Sequence, residues 1–239
     1  MKDLKVVVLS TSGGVGKSTI AQHLLPPRMP GAKLFTLETF NDAAEFQETE
    51  KDSAKYFSAF FHKVLDAPSA IVDIGVSNIA DALNGLASMR GAHREFDYFI
   101  IPVTPELKQQ NDTRNTLATL ASHGIEPDRI RVIFNKVESG DVEREFSRVL
   151  EYLRTNPVAK FSTGCAIAKT ELFDSLAGLK VGIPELLATD EKVYRDARKA
   201  AAETGDEKAR KRANALLIAK MQAEVVNENF DDVFGELKL

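Results

Sequence analysis

The chain has no tryptophan, a single cysteine and few tyrosines. Each shortage excludes something. One cysteine, Cys165, cannot close an internal disulfide or build a cysteine metal site. Its expected role is that of a small buried side chain. No apolar run approaches the roughly 20 residues that cross a bilayer. The first residues, Met1 to Leu4, run straight into an apolar stretch and leave no room for a signal peptide, so a cytoplasmic location is expected. Positive charge is not in excess: 31 Lys and Arg stand against 35 Asp and Glu, a net charge of -4. That argues against affinity of the whole surface for nucleic acid and leaves only a local basic patch. What remains is ordinary for a globular chain. Hydrophobic residues make up 44% of the 239, charged residues 28%, and Phe (14) carries most of the aromatic content. The length suffices for one α/β domain with its own core.

The informative stretch is Thr11-Ser12-Gly13-Gly14-Val15-Gly16-Lys17-Ser18-Thr19. It follows the apolar run Val6 to Leu9 and precedes a short helical pattern, Ile20 to Leu25. Strand, glycine-rich turn and helix form the context of a phosphate-binding loop. Glycines let backbone N–H groups close around phosphate oxygens without Cβ clashes. A helix starting there adds its positive end. Lys17 can meet the β- and γ-phosphates, and the Ser18 hydroxyl can ligate a bridging Mg²⁺. The pattern G-x-x-x-x-G-K-[ST] departs at one position, where Thr11 replaces the first glycine. A plain glycine-rich turn would explain neither Lys17-Ser18 nor the placement after a buried strand.

Further acids and amides fall at strand ends, where ligands bind in open α/β sheets. A second strand is expected at residues 33–37, followed by Glu38, Asn41 and Asp42. Glu38 and Asp42 are candidates for the metal or the attacking water, or else a helix cap and a solvated acid. From Ala43 to Leu65 the pattern is helical, with Phe57, Phe60, Phe61, Val64 and Leu65 on one stripe, which reads as core. The run Ala70 to Gly75 is a strand with Asp73 near its end. A phosphate-loop enzyme needs such an acid for the Mg²⁺ shell, although a helix cap would also fit. Residues 97–103 make the strongest strand, and a helix is expected over 106–123. The strand 131–134 ends at Asn135-Lys136. A carboxamide there can both donate to and accept from a purine edge. Glu138 stands where an Asn-Lys-x-Asp guanine reader would have its acid, so guanine and adenine both remain open. A helix is expected over 142–154, a sixth strand over 161–168 and a short helix over 171–179.

Beyond Pro184, Ala, Lys, Arg, Glu and Asp dominate. Two helices are expected, at about 190–204 and 206–228. The second has a narrow stripe of Ala213, Leu216, Leu217, Met221 and Val225. It also carries the basic cluster Lys208, Arg210, Lys211 and Arg212, a solvated face or a contact for DNA or a partner. Residues 229–239 are acidic and apolar, unlike a membrane-targeting helix. The expected organisation is a nucleotide-binding domain over residues 1–187 and a helical extension over 188–239. The fold class is α/β, a mostly parallel doubly wound sheet with helices on both faces.

The run Ser12 to Thr19 resembles the deviant Walker A loop of the ParA/MinD ATPases, K-G-G-x-G-K-[ST]. The resemblance continues in Asp73, in Ile101 to Glu106 and in Val132 to Lys136, and covers roughly residues 1–187. Within that group, His23 to Met29 and Glu38 to Asn41 are similar to the StbB plasmid-stability proteins. The resemblance implies a P-loop NTPase of SIMIBI-like type that binds ATP and Mg²⁺. It implies a slow or partner-stimulated ATPase for plasmid stability, DNA positioning or conjugative transfer. A plasmid-encoded DNA-binding partner and a nucleotide-dependent homodimer come with it. By position, Ser12, Gly13, Gly14, Val15, Gly16, Lys17, Ser18 and Thr19 would hold the phosphates. Lys17, Glu38 and Asp73 would be catalytic, Ser18 and Asp73 would serve the metal, and Asn135 with Lys136 would hold the base.

Two departures matter. Where the family usually has an Asp just after strand two, this chain has Glu38 and Asp42 nearby, of which Glu38 falls at the strand end. The other departure lies in the loop. The signature lysine that reaches across the dimer falls at Ser12, which can hydrogen-bond phosphate but cannot neutralise it. Arg28, Lys108 and Arg114 are possible substitutes. Otherwise hydrolysis is slow, and a nucleotide-binding adaptor becomes a second reading. A small-molecule kinase or synthetase is a third, though the sequence shows no lined acceptor pocket.

Overall fold

The structure, a computed structural model, describes residues 3–37 and 53–239. Among them, six strands form one sheet in the order β2-β3-β1-β4-β5-β6. The strands are β1 (Lys5–Val8), β2 (Lys33–Leu37), β3 (Ala70–Ile74), β4 (Tyr98–Val103), β5 (Ile130–Val137) and β6 (Ala166–Ala168). Pairing from β2 through β5 is parallel throughout. A parallel bridge, Arg131 with Lys160, extends that sense toward the β6 edge. Strands covered on both faces need apolar side chains on both, which is why β4 reads as an apolar run and β1 and β3 are interrupted only by Lys5 and Asp73. The helices of this layer are α1 (Lys17–Thr19), α2 (Ser53–Leu65), α3 (Ile79–Ser88), α4 (Leu107–Ser122), α5 (Val142–Glu145) and α6 (Ser147–Thr155).

The strand order reverses beside β1. From β1 the chain goes outward to β2, returns to β3, then crosses β1 to build β4 and β5. The crevice above the carboxyl ends of β1, β3 and β4 is therefore the topological switch point, where open α/β sheets bind ligands. Register sets its floor: Val8 of β1 lies beside Asp73 of β3 and Ile100 of β4.

The core is dense with phenylalanine. On one side Phe57 stacks on Phe61 at 5.9 Å between centroids, and Phe61, Phe96 and Phe99 follow at 5.8 and 5.9 Å. On the β5 side Phe134 meets Phe146 edge-on at 5.0 Å. Such pairs add modestly to the stabilisation from area burial.

Several elements differ from the pattern in the sequence. The turn after α1 continues as a wide π-type helix over Ile20–Leu24, then a 3₁₀ turn over Pro26–Arg28. Of the helix expected over 43–65, the part before residue 53 lies outside the described residues. β5 runs on to Val137, so Asn135 and Lys136 sit within it. The helix expected over 142–154 is broken at Phe146, whose φ of -114° leaves the helical region. The sixth strand shrinks to three residues.

The chain divides into two compact units, residues 1–167 with 232–239, and residues 168–231. The second holds α7 (Leu172–Leu179), α8 (Ile183–Ala188), α9 (Glu191–Glu203) and most of α10 (Glu207–Leu237). Pro184 lies in the first turn of α8, where its missing N–H costs no hydrogen bond. Within this unit Arg212 donates to the Leu179 carbonyl at 3.2 Å, and Lys220 donates to that of Leu187 at 3.1 Å. Both tie α10 to carbonyls at the C-terminal ends of α7 and α8. In the first unit, Val233 and Leu237 are fully buried, so the tail expected over 229–239 is helical to Leu237. No helix among the described residues is long and apolar enough to cross a membrane.

Candidate nucleotide-binding site

The loop between β1 and α1 turns on two glycines with positive φ, Gly14 at 71° and Gly16 at 92°. They serve different purposes. A Cβ on Gly13 or Gly14 would meet nothing within 4 Å, so this side of the loop faces open space. A Cβ on Gly16 would lie 2.1 Å from Nδ2 of Asn135. Gly16 is thus fixed both by backbone conformation and by the close approach of β5.

That approach fastens the second half of the loop. Asn135 donates from Nδ2 to the Val15 carbonyl at 2.8 Å, and its Oδ1 accepts the Lys136 N–H at 2.9 Å. Lys136, at φ 59°, sends its ammonium to the Gly14 carbonyl at 2.9 Å. Val15 is fully buried beneath. One N–H and one lone pair of the Asn135 carboxamide remain beyond its two bonds.

The first half of the loop is fastened to α4. The Ser12 hydroxyl donates to Oδ2 of Asp112 at 2.5 Å. The hydroxyls of Thr11 and Thr116 share a hydrogen bond at 2.9 Å, and the Thr11 N–H donates to the Thr116 hydroxyl at 3.3 Å. Ser12 itself is buried. Asp112 and Thr116 carry no sequence signal. They lie about a hundred residues from the loop on a helix of ordinary pattern, and only the β4–α4 crossover brings them to it.

Lys17 opens α1 and is buried, with Nζ donating to the Ser12 carbonyl at 2.9 Å. Burial pushes its pKa below the ordinary lysine value, and the negative charge of Asp73 partly opposes this. Asp73 is buried at the end region of β3, and its Oδ1 has no hydrogen-bond partner. An orphaned buried carboxylate oxygen is costly unless something binds it. Ser18 is exposed and Thr19 half-buried at the start of the helix. Next to Asp73, the Gly75 N–H and Nδ2 of Asn78 both donate to the Leu37 carbonyl, at 3.0 and 2.8 Å. The end of β2 is thereby held beside β3. Glu38, Asn41 and Asp42, the acids and amide expected next, lie outside the described residues.

Among the described residues no group of three or more His, Cys, Asp or Glu side chains is gathered to hold a metal ion. Mg²⁺ commonly binds through one or two protein oxygens, with phosphates and water completing the shell. The free oxygen of Asp73 and the exposed hydroxyl of Ser18 are suitable donors.

Of the cations weighed as substitutes for the lysine missing at Ser12, Arg28 is buried and donates to the Leu24 carbonyl at 3.0 Å. Arg114 lies over the Tyr152 ring at 5.2 Å. Lys108 is exposed. The side-chain cations that reach the loop among the described residues are Lys17 and Lys136.

A solved structure of Cyanothece McdA in complex with ATP is similar over 100% of this chain and 97% of that one, at 14% identity and a TM-score of 0.50. The chain shares the fold of that ATP-bound protein. A Borrelia burgdorferi plasmid partition protein bound to AMPPNP covers 93% of this chain and 99% of its own at 15% identity and a TM-score of 0.49. MinD of Aquifex aeolicus covers 72% and 84% at 15% identity and a TM-score of 0.47. No protein-family model and no curated protein sequence matches the chain. In this fold the glycine loop follows β1, and Asp73 lies one residue from the end of the neighbouring β3.

Proposed function

We propose that the chain is an ATP-binding, Mg²⁺-dependent switch ATPase serving plasmid stability, DNA positioning or conjugative transfer. One observation carries the reading: a buried lysine, Lys17, and a buried carboxylate with a free oxygen, Asp73, flank a loop whose Gly13 and Gly14 face open space. Phosphate chemistry calls for this set of groups, a cation and backbone donors for the anion and an acid for the metal shell.

In this reading Lys17 gives up the Ser12 carbonyl for a phosphate oxygen, whose negative charge favours the ammonium form. Asp73 and Ser18 hold Mg²⁺, which neutralises charge on the phosphates. The loop needs little rearrangement, because Asn135 and Lys136 fix it from one side and Asp112 with Thr116 from the other. Asn135 and Lys136 hold the base side of the site as well as the loop. Glu38 is the proposed acid for the attacking water. A plasmid-encoded DNA-binding partner and a nucleotide-dependent homodimer complete the proposal.

A second reading, an adaptor with little or no hydrolysis, is favoured by the Ser12–Asp112 contact, which puts a carboxylate where a cation would promote turnover. Calorimetric titration with ATP and Mg²⁺ tests the site: Lys17→Ala should abolish binding or reduce it severely, and unchanged affinity would refute the assignment. Turnover measured with and without DNA and the partner separates the two readings. Tight ATP binding without turnover in any mixture supports the adaptor.

A further inference from the structure

The helix α10 carries an apolar stripe that the fold of its own unit does not cover. Its inward face is made by Ala213, Leu217, Ala219, Ala223 and Val226, all buried. On the opposite side Ile218, Met221 and Val225 are 57%, 40% and 67% exposed. Their spacing of three and four places them on one line along the helix. It is also the a-d-a spacing of a two-stranded coiled coil, with β-branched residues at the two a positions. Large apolar side chains in such a row mark an interaction surface more often than single exposed ones do.

Charge along the helix identifies the occupant. Lys208, Arg210, Lys211 and Arg212 crowd the first turns, whereas the stretch from Met221 to Asp231 contains Glu224, Glu228 and Asp231 and no lysine or arginine. This distribution runs against the helix macrodipole, which favours acids at the N-terminus and bases at the C-terminus. Helix stability therefore does not account for it. Arg210 is paired with Glu207 at 2.8 Å, Arg212 is bound to the Leu179 carbonyl, and Lys220 is paired with Glu224 at 3.0 Å. Lys211 and Glu228, which continue the apolar line at either end, have no ion pair among the described residues.

A second copy of the helix laid antiparallel satisfies both features at once. With a two-fold axis between Ala219 and Lys220, Ile218 of each copy faces Met221 of the other, the pairing of an a with a d position. Val225 then faces Asn214, and Lys211 faces Glu228. A parallel pairing would instead set Lys211 against Lys211 and Glu228 against Glu228, which is repulsive. We propose that α10 is a self-association surface, pairing antiparallel with a second copy of this chain through Ile218, Met221 and Val225, with Lys211 and Glu228 setting the direction. An isologous contact of this kind closes as a dimer and does not propagate. It needs no nucleotide, and it does not depend on the functional reading above.

Sedimentation velocity on the full chain without nucleotide tests this. The expected result is a reversible dimer that weakens as salt rises, because its charge pairs are exposed. Val225→Lys should raise the dissociation constant by at least about tenfold, since it sets a lysine in the apolar seam of each copy. Ile218→Glu serves as an independent second variant. Both positions are exposed in the monomer, so unchanged circular dichroism and melting temperature should accompany the loss. Lys211→Glu and Glu228→Lys should each weaken the dimer, and the two together should restore it. A chain that is monomeric at every concentration would overturn the proposal. So would association that appears only with ATP, or that survives Val225→Lys and Ile218→Glu. Failure of the double charge exchange to recover association would overturn the antiparallel pairing. If Lys211→Glu instead abolishes binding of a labelled DNA duplex in a chain that never dimerises, the basic turn is a DNA contact and the proposal fails.

Discussion

The hydroxyl of Ser12 donates to the carboxylate of Asp112 across 2.5 Å, joining the glycine loop to α4. A hydrogen bond to a charged acceptor is among the stronger ones. It holds the loop in place and also sets a negative charge beside the proposed phosphate site. Asp112→Asn keeps an acceptor for Ser12 and removes the charge. ATP binding measured by calorimetry should tighten about threefold to tenfold, the effect of removing roughly 1 kcal/mol of repulsion at a partly exposed position. The same geometry predicts that Ser12→Lys alone will pair with Asp112. Only Ser12→Lys combined with Asp112→Asn should free that lysine for phosphate, so the double variant should show the larger gain in turnover. Equal turnover in the single and double variants would contradict this.

Two neighbouring glycines should respond oppositely to alanine. At Gly16 a Cβ would press on the Asn135 amide at 2.1 Å, on a backbone with φ 92°. Gly16→Ala should lower stability in urea denaturation by about 1–3 kcal/mol through strain and loss of the Asn135–Val15 bond. At Gly13 nothing lies within 4 Å. Gly13→Ala should leave the urea midpoint nearly unchanged and yet weaken ATP binding, because its methyl group enters the phosphate cradle. A stable Gly16→Ala protein, or a Gly13→Ala protein with full affinity, would contradict this division.

Much of this site is legible in the residues alone, for a physical reason. Gly14, Gly16, Lys17 and Asp73 act through local geometry, a turn at a strand end and an acid at the next strand end, and such geometry is written in short spacing. Asp112 and Thr116 act through a crossover that no spacing encodes. Asn135 is legible as a strand-end carboxamide, but its donation to Val15 depends on β5 lying two strands from β1. The C-terminal helix shows a limit of another kind. Phe230, Val233 and Leu237 recur at helical spacing, yet the acids between them mask the pattern. Their burial becomes evident only in the folded chain.

Cys165 should be inert at neutral pH. Burial is the main cause that raises its thiol from 9.0 to about 11, and the charge of Glu236 adds to it. At a pH below both values, a rise of this size lowers the thiolate fraction by about a hundredfold. Labelling by a disulfide reagent at pH 8 should be slower than in urea-unfolded protein by at least about that factor. The thiol is held protonated in the folded state, so its contribution to stability is full below 9. It declines as pH rises and is lost through about 11, because the unfolded thiol ionises first. Cys165→Ala should remove this part of the alkaline destabilisation. Rapid native labelling at pH 8 would show that the thiol is open to solvent.

Arg131 should prove the main tie between the sheet and the end of the chain. Its Nε donates to the Leu237 carbonyl at 2.7 Å, one terminal nitrogen donates to that of Asp128 at 2.7 Å, and the guanidinium lies 4.8 Å over the Tyr98 ring. The Leu237 carbonyl belongs to the last turn of α10, where carbonyls lack partners within the helix. A planar fork can serve both carbonyls and the ring face at once, and a lysine cannot. Arg131→Lys should therefore behave nearly as badly as Arg131→Ala, each costing about 1–3 kcal/mol in urea denaturation. Hydrogen exchange should accelerate at residues 232–239, while β4 keeps its protection. The contrast matters more than the loss: if lysine rescues the alanine variant, charge alone suffices and the fork geometry is irrelevant. If exchange at 232–239 is unchanged in both, the buried side chains of Val233 and Leu237 hold the terminus without help from Arg131.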